Sequence, residues 1–420
     1  MWRRDRVRID VDGLGDELDS RLGPADAALA AQFPGDRAGR QPVHTVYVPA
    51  DRYHAQLPAA WGREASAALD EHRAVLRELL VERGDGADDL IARVRAKLAS
   101  EPIEDLRIDF EDGYGARPDE VEDKHVAAAA GHLVAGLRAG SAPPFHGIRM
   151  KCFEAPTRRR GVRTLATFVE HLVEAGAPLD GFVVTLPKVT SVDQVEAMVY
   201  ACGRLEDALG LDPRTLRFEI QVETPQSILG PDGTAPVARM VHASDGRCTA
   251  LHYGTYDYSA FCGIAAEYQS MAHPAADHAK LVMQAAAAGT GVRLSDGSTN
   301  ILPIGGASAV RTAWQLHLTL VRRSLERGYY QGWDLHPAQL PTRYAATIGF
   351  YRAGLVRATG RLRGYVERTG SAILDEPATA RALADYLLRA LHCGATTAEE
   401  IRAACGLGID RISDLARPRR

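Results

Sequence analysis

The sequence predicts an α/β protein built as a (β/α)8 barrel, or TIM barrel, with a helical C-terminal extension. Short runs rich in β-branched and aromatic residues alternate with longer stretches of helical period, which is typical of parallel strands joined by crossover helices. Eight such runs close a barrel, and the span of roughly 300 residues fits that fold with insertions. The predicted strands are 44–50, 106–112, 146–151, 181–189, 216–223, 250–259, 300–305 and 332–337.

Helical periodicity predicts the segments that join these strands. The gap at about 51–103 predicts an N-terminal insertion of two helices, where an ideal barrel has one. Strand signals stop after residue 340, so we divide the chain into a barrel at 1–340 and a helical extension at 341–420. The predicted helices outside the insertion are 119–139, 162–176, 191–209, 274–289, 306–327, 341–369 and 377–404.

Composition and charge exclude several classes of protein. Of 420 residues, 46% are apolar and 25% charged, as in globular proteins. The net charge of −4 provides no basic surface for nucleic acid. No apolar run is long enough to span a membrane, and the N-terminus lacks the apolar core of a signal peptide. Six scattered cysteines without a C-x-x-C pair predict reduced thiols and a cytoplasmic location.

Charged side chains collect at the C-terminal ends of the predicted strands, where barrels of this kind carry their active sites. Any one of these charges has an ordinary explanation as a solvated strand end. Charges from six different strands on one rim are harder to explain by solvation, and they predict a site. They are Glu111, Asp112, Arg149, Lys151, Lys188, Glu223, Asp257 and His336.

Glu223 and Asp257 follow neighbouring predicted strands. Two carboxylates that meet at short distance need a cation or a proton between them. With oxygen ligands and no clustered His or Cys, that cation is a hard one, and Mg²⁺ fits best. Mg²⁺ held by two carboxylates keeps positions open for a small 2-oxo or 2-hydroxy acid. Arg149 would bind the carboxylate of that acid or stabilise an enolate oxygen.

Six short motifs follow one another along the chain: IDFEDGYGARPDEVEDKHV, GIRMK, LPKV, QVET, GTYDYS and GWDLHPAQ. In this order they resemble the superfamily of the citrate lyase β-subunit, the HpcH/HpaI aldolases, malyl-CoA lyase and malate synthase. The resemblance covers roughly residues 106–340 and implies a barrel that binds Mg²⁺. It also implies an enzyme that makes or cleaves a carbon–carbon bond through an enolate.

The resemblance also implies the role of each site residue. Glu111 with Asp112 would order metal-bound water and Arg149, and a CoA thioester is the candidate acyl partner. The oligomeric state stays open between a monomer and a homo-oligomer. The implied metal ligands are Glu223 and Asp257, the implied catalytic residues are Arg149, Glu111 and Asp112, and the implied substrate-binding residues are Gly254, Thr255, Tyr256 and Lys188.

The C-terminal stretch DEPAT is similar to the malate synthase segment that bears the general base. Alignment on Ala378 and Thr379 places Glu376 at the position of the base, where that family has Asp. An acidic residue before Pro377 is also typical of a helix N-terminus. Catalytic base and helix cap therefore both stand as interpretations of Glu376.

The sequence thus predicts a magnesium-dependent carbon–carbon lyase or aldolase, or a malate-synthase-like condensing enzyme. Two other functions stay open. Lys188 at a strand end could form a Schiff base with a carbonyl substrate. The barrel could also have lost its chemistry and serve as a binding protein, but the carboxylate pair and Arg149 argue against that function.

Overall fold

Eight parallel strands form the sheet at the centre of the structure, a computed structural model that describes residues 10–367 and 376–417. Their spatial order is β7-β6-β5-β4-β3-β2-β1-β8. The sheet closes where Asp296 N donates to Gln331 O at 2.9 Å and Trp333 N donates to Gly297 O at 3.2 Å. The predicted barrel is confirmed. The strands are β1 His44–Pro49, β2 Asp105–Asp109, β3 Phe145–Arg149, β4 Phe182–Leu186, β5 Arg217–Val222, β6 Cys248–Tyr253, β7 Arg293–Ser295 and β8 Gly332–Asp334.

Helices surround the barrel and continue beyond its last strand. Two short 3-10 helices, Ala266–Tyr268 and Pro337–Gln339, follow β6 and β8. No helix in the described ranges has both the length and the apolar character that a membrane span requires. The α-helices are α1 Val11–Gln32, α2 Leu57–Glu71, α3 Arg73–Glu82, α4 Ala87–Ser100, α5 Asp119–Arg138, α6 Arg158–Glu174, α7 Val192–Leu209, α8 Pro225–Ile228, α9 Pro236–Ala243, α10 Thr255–Phe261, α11 Pro274–Ala287, α12 Ala307–Glu326, α13 Leu340–Glu367, α14 Pro377–His392, α15 Ala398–Cys405 and α16 Ile409–Ala416.

Several local predictions differ from the structure. The strand predicted at 300–305 is a loop in which Ile301 and Ile304 are exposed, and β7 lies upstream at Arg293–Ser295. Three residues are too few for a period-two pattern, so the apolar run after them was the stronger signal. The insertion holds three helices, because His72 leaves helical geometry between α2 and α3. Helix α1 was not predicted, and none of its residues is buried.

The C-terminal helices build a second apolar core next to that of the barrel. Helix α13 contributes to both cores, with Tyr344 and Ile348 in the first and Leu355 and Leu362 in the second. Helices α14, α15 and α16 pack on the second core. The division at residue 340 stays a prediction, since α13 connects the two cores without a linker.

The interior of the barrel contains a charged network. Arg107 on β2 is 2% exposed and donates to both carboxylate oxygens of Glu219 on β5, at 3.1 and 2.8 Å. It also pairs with Asp105. Trp333 Nε1 donates to His252 Nδ1 at 3.2 Å, which leaves the proton on Nε2, 3.0 Å from Glu219 Oε2. Burial acts to raise the pKa of Glu219, but Arg107 and His252 outweigh it and lower the pKa.

We expect Arg107→Met to lower the free energy of unfolding by about 3–5 kcal/mol, because it leaves Glu219 and Asp105 buried without their cation. The double variant Arg107→Met/Glu219→Gln also removes the unpaired charge of Glu219 and should recover part of the lost free energy of unfolding. Urea denaturation measures both. As a control, Arg77→Met on the exposed Arg77–Asp88 pair should leave the midpoint unchanged. A wild-type midpoint for Arg107→Met would contradict the network.

Candidate active site

Arg149 and Asp109 form a bidentate ion pair on the C-terminal rim of the barrel. They are the last residues of the neighbouring strands β3 and β2 and lie directly opposite each other. Arg149 Nε and Nη2 donate to the two carboxylate oxygens of Asp109, each at 2.7 Å. The ring of Tyr47 lies 4.7 Å from the guanidinium carbon. Burial acts to lower the pKa of Arg149, but Asp109 outweighs it and raises the pKa, so the guanidinium stays charged.

The residue that orients Arg149 is Asp109, and not the predicted pair Glu111 and Asp112. Sequence reasoning missed Asp109. Glu111 Oε2 is 3.7 Å from Arg149 Nη1, too far for a hydrogen bond. Asp109 also accepts the backbone N–H groups of Glu111 and Gly113, both at 2.9 Å. The alternation in LRIDFE was the available signal, because it places Asp109 on one strand face with Glu111.

Lys188 lies in the loop after β4, in the left-handed region with φ +50°. Its ammonium is 2.7 Å from Glu111 Oε1, 2.6 Å from Asp112 Oδ2 and 3.8 Å from Asp257 Oδ2. Burial acts to lower the pKa of Lys188, but the carboxylates of Glu223 and Glu111 outweigh it and raise the pKa. A Schiff base needs the neutral amine, so this environment disfavours that alternative.

Glu223 follows β5 and is 1% exposed. Its Oε1 accepts the backbone N–H of Lys188 at 2.8 Å, and its Oε2 accepts Gln221 Nε2 at 2.7 Å. Burial raises the pKa of Glu223 to about 8, with Lys188 opposing this shift and Asp257 adding to it. Among the described residues, Glu223 is therefore a buried carboxyl group with two neutral donors and no cation in direct contact.

Asp257 lies in the first turn of α10 and not at the end of a strand, because β6 ends at Tyr253. Its side chain is 38% exposed and belongs to the same charged cluster through Lys188. The prediction that β6 continues to residue 259 was wrong. The tyrosines at 256 and 258 are residue types that favour strands, yet here they belong to a short helix.

The predicted substrate-binding segment 254–256 lies beside Glu223. A Cβ atom at Gly254 would lie 2.5 Å from the Cβ of Glu223, so glycine permits this close approach. Thr255 is buried, and its Oγ1 has no hydrogen-bond partner within the described ranges. The Tyr256 hydroxyl accepts the backbone N–H of Asn300 at 2.7 Å. Their role in substrate binding stays a prediction.

Two of the strand-end charges have structural partners. Lys151 Nζ donates to Glu122 Oε2 and to the Phe110 carbonyl, both at 2.7 Å. His336 Nδ1 accepts the backbone N–H of Ala338 at 3.1 Å and so caps the 3-10 helix after β8. A charge at a strand end thus does not by itself identify a site residue.

Glu376 is exposed at the start of α14, without a side-chain capping hydrogen bond. Near the other end of this helix, Arg389 donates to Gln41 Oε1 at 2.7 Å and packs on the ring of Tyr330. Gln41 precedes β1 and Tyr330 precedes β8, so this part of α14 contacts the N-terminal end of the barrel. Within one chain, Glu376 is therefore not brought to Glu223. Asp375 lies outside the described residues.

The rim has an excess of negative charge. Five carboxylates converge there on two cations, Arg149 and Lys188. In the part of the chain that the structure describes, no group of three or more His, Cys, Asp or Glu side chains could hold a metal ion. A pair of carboxylates with space for other oxygen ligands fits Mg²⁺, which commonly binds through one or two carboxylates. The carboxylates are Asp109, Glu111, Asp112, Glu223 and Asp257.

The raised pKa of Glu223 predicts a pH-dependent stability without metal. The folded state keeps a proton that the unfolded state releases between about pH 4.5 and 8. Stability should therefore fall with rising pH across this window, by up to about 1.4 kcal/mol per pH unit, and level off above it. Urea midpoints in EDTA measure this slope, and Glu223→Gln should reduce it. Equal slopes in both proteins would contradict the burial of Glu223.

Solved structures share the fold of this chain at low sequence identity. The lead(II) complex of Haloferax volcanii malate synthase has 16% identity and a TM-score of 0.50, over 90% of this chain and 89% of that one. The magnesium/glyoxylate complex of the same enzyme has 15% identity and a TM-score of 0.50, over 91% and 99%. CitE from Mycobacterium tuberculosis, in complex with magnesium, acetoacetate and coenzyme A, has 16% identity and a TM-score of 0.48, over 84% and 97%.

At these identities the likeness establishes the fold alone. No curated protein matches the sequence. The family model described as a domain of unknown function, DUF6986, matches residues 22–420, and the chain therefore belongs to that family.

Proposed function

We propose that this protein is a Mg²⁺-dependent enzyme that makes or cleaves a carbon–carbon bond next to the carboxylate of a small 2-oxo or 2-hydroxy acid. The observation that carries the proposal is the acidic rim, on which no cation of residues 10–367 or 376–417 directly contacts the buried Glu223. A divalent cation would supply the missing charge and restore the ionised carboxylate.

Glu223, directly after β5, and Asp257, in the first turn of α10, would hold the metal. Bound Mg²⁺ supplies Lewis-acid polarisation of the 2-oxo group. Glu223 is positioned by the Lys188 backbone and by Gln221, so its carboxylate does not depend on the metal for its orientation. Asp257 is more exposed and faces the solvent side of the same cluster.

Arg149 is suited to bind a substrate oxygen. Asp109 occupies Nε and Nη2, so Nη1 is the edge that remains for an external acceptor. The ring of Tyr47 lies against the guanidinium group and limits its movement. Arg149 would therefore present one fixed donor to a carboxylate or an enolate oxygen.

The charged Lys188 would act by electrostatics and by positioning. Its ammonium holds Glu111 and Asp112 together, and its backbone orients Glu223. Glu111 and Asp112 would order water beside the metal.

The comparisons and the motifs support this assignment. The barrel fold is shared with a malate synthase that forms a magnesium/glyoxylate complex. The six motifs resemble the superfamily that contains this enzyme. Membership in that superfamily, a CoA thioester as acyl partner, a homo-oligomer and a cytoplasmic location are parts of the same proposal.

We expect Glu223→Gln and Asp257→Asn each to weaken Mg²⁺ binding at least ten-fold and to abolish turnover, because each removes one of two charged ligands. Calorimetry measures the affinity for Mg²⁺, and product formation from acetyl-CoA with glyoxylate or pyruvate measures turnover. Asp207→Asn, on the exposed face of α7, is the matched control and should keep both properties. Unchanged Mg²⁺ affinity in both site variants would place the metal elsewhere.

The general base would be Glu376 from a second copy of the chain. Along α14, Glu376 lies about 20 Å from Arg389, at 1.5 Å per residue. Tyr386 donates to the carbonyls of Phe350 and Tyr351 at 2.8 and 2.9 Å, so α14 runs back along α13. Glu376, which directly precedes α14, would therefore lie beyond the N-terminal end of its own barrel, and a second subunit would be needed to use it.

We expect Glu376→Gln to lower turnover by about 10²–10⁴-fold, the usual effect of losing a positioned base, while Mg²⁺ affinity is kept. Mixing Glu376→Gln subunits with Asp257→Asn subunits should restore activity, because each supplies what the other lacks. Glu399→Gln, in the first turn of α15, is the control. Full turnover with a lower melting temperature in Glu376→Gln would identify a helix cap instead.

A further inference from the structure

A cavity of about 330 Å³ lies at the N-terminal end of the barrel. Its walls come from the segment before β1, the start of β7 and the C-terminal half of α14, with Gln41, Arg293 and Arg389 among its lining residues. We call it the basal cavity. Glu223 and Asp257 follow the opposite ends of the strands, so the basal cavity is separate from the candidate active site.

The basal cavity is positively charged. Four arginines and two carboxylates line it, which leaves an excess of two positive charges. Asp385 is already engaged, at 2.7 Å from Arg389 Nε and 3.5 Å from Arg417 Nη2. The charged lining residues are Arg37, Arg293, Arg389, Arg417, Asp36 and Asp385.

Arg293 carries the least compensated charge. It donates to the Gly39 carbonyl at 3.3 Å and forms no salt bridge within the described ranges. Burial and the like charges of Arg389, Arg37 and Arg417 lower its pKa to about 10. Arg37 likewise donates to carbonyls, those of Gly246 and Cys248, at 3.0 and 3.1 Å, and forms no salt bridge with any described residue. Partly buried like charges destabilise a fold unless an anion joins them.

The arrangement of the donors favours a phosphate group. Guanidinium groups bind both carboxylate and phosphate oxygens. A carboxylate offers two coplanar oxygens, whereas a phosphate offers oxygens in several directions. Here the guanidinium groups come from three separate elements of the fold. The volume of the basal cavity lies near the lower end of the range of about 300–1,000 Å³ typical of small-ligand sites.

We propose that the basal cavity binds a small phosphate-bearing molecule, with its phosphate among Arg37, Arg293 and Arg389. The bound anion would join the segment before β1, the barrel and α14. This site does not depend on the proposed function, because it uses none of the rim residues.

Calorimetry in magnesium-free buffer with pyrophosphate, ribose 5-phosphate and citrate tests the proposal. Both phosphate probes should bind more tightly than citrate and raise the melting temperature. Arg293→Gln should lower the affinity for pyrophosphate at least ten-fold. Without anion it should keep or raise the melting temperature, because it relieves repulsion among the arginines. Arg293→Lys should give an intermediate affinity.

Three outcomes would overturn the proposal. They are unchanged pyrophosphate affinity in Arg293→Gln, a preference for citrate, and a lower melting temperature of the anion-free variant, which would indicate a structural arginine. Arg217 lines the neighbouring mouth of the barrel and not the basal cavity, so Arg217→Gln is the matched control. Loss of affinity in Arg217→Gln equal to that in Arg293→Gln would place the anion in the mouth.

Discussion

Charge buried inside the barrel is the constraint on which the rest of the structure depends. Arg107 and Arg149 come from neighbouring strands, and each is paired with carboxylates, Arg107 with Glu219 and Arg149 with Asp109. An unpaired buried charge costs several kcal/mol, so each partner requires the other. The two pairs tie β2 to β5 across the interior and to β3 at the rim. At the rim, this register places Asp109 and Arg149 directly opposite each other.

In these pairs the positive charges of Arg107 and Arg149 are neutralised by Glu219 and Asp109, so the rest of the rim is acidic. Lys188 donates hydrogen bonds to Glu111 and Asp112 from its ammonium and to Glu223 from its backbone N–H. A left-handed backbone costs a non-glycine residue about 1–3 kcal/mol and persists where the surrounding structure requires it. At Lys188 it allows one residue to orient three carboxyl groups. Strain and excess charge thus coincide at one place, as is typical of functional sites.

Local patterns in the sequence were sufficient for most of the fold, because strand and helix periods are properties of short segments. These patterns failed at β7, because a strand of three residues is too short to show a period. The exposed run 301–304 resembled a strand more closely. At the site, the sequence pattern identified the charged residues that follow strand ends, including Glu223. Asp109 was missed because it lies inside the predicted strand 106–112 and acts through a partner on another strand. Lys151 shows the same limit, since contacts alone reveal its structural role.

The two ends of the barrel carry opposite charge, and α14 relates them. Its C-terminal half lines the cationic basal cavity through Arg389, and Glu376 precedes the first residue at its other end. The contacts of Arg389 therefore also help to fix the position of α14 and of Glu376 at its start. An anion that joins Arg293 to Arg389 would stabilise that position without touching the rim. Binding at one end of the barrel and proton transfer at the acidic end of another copy would then be coupled through a single helix.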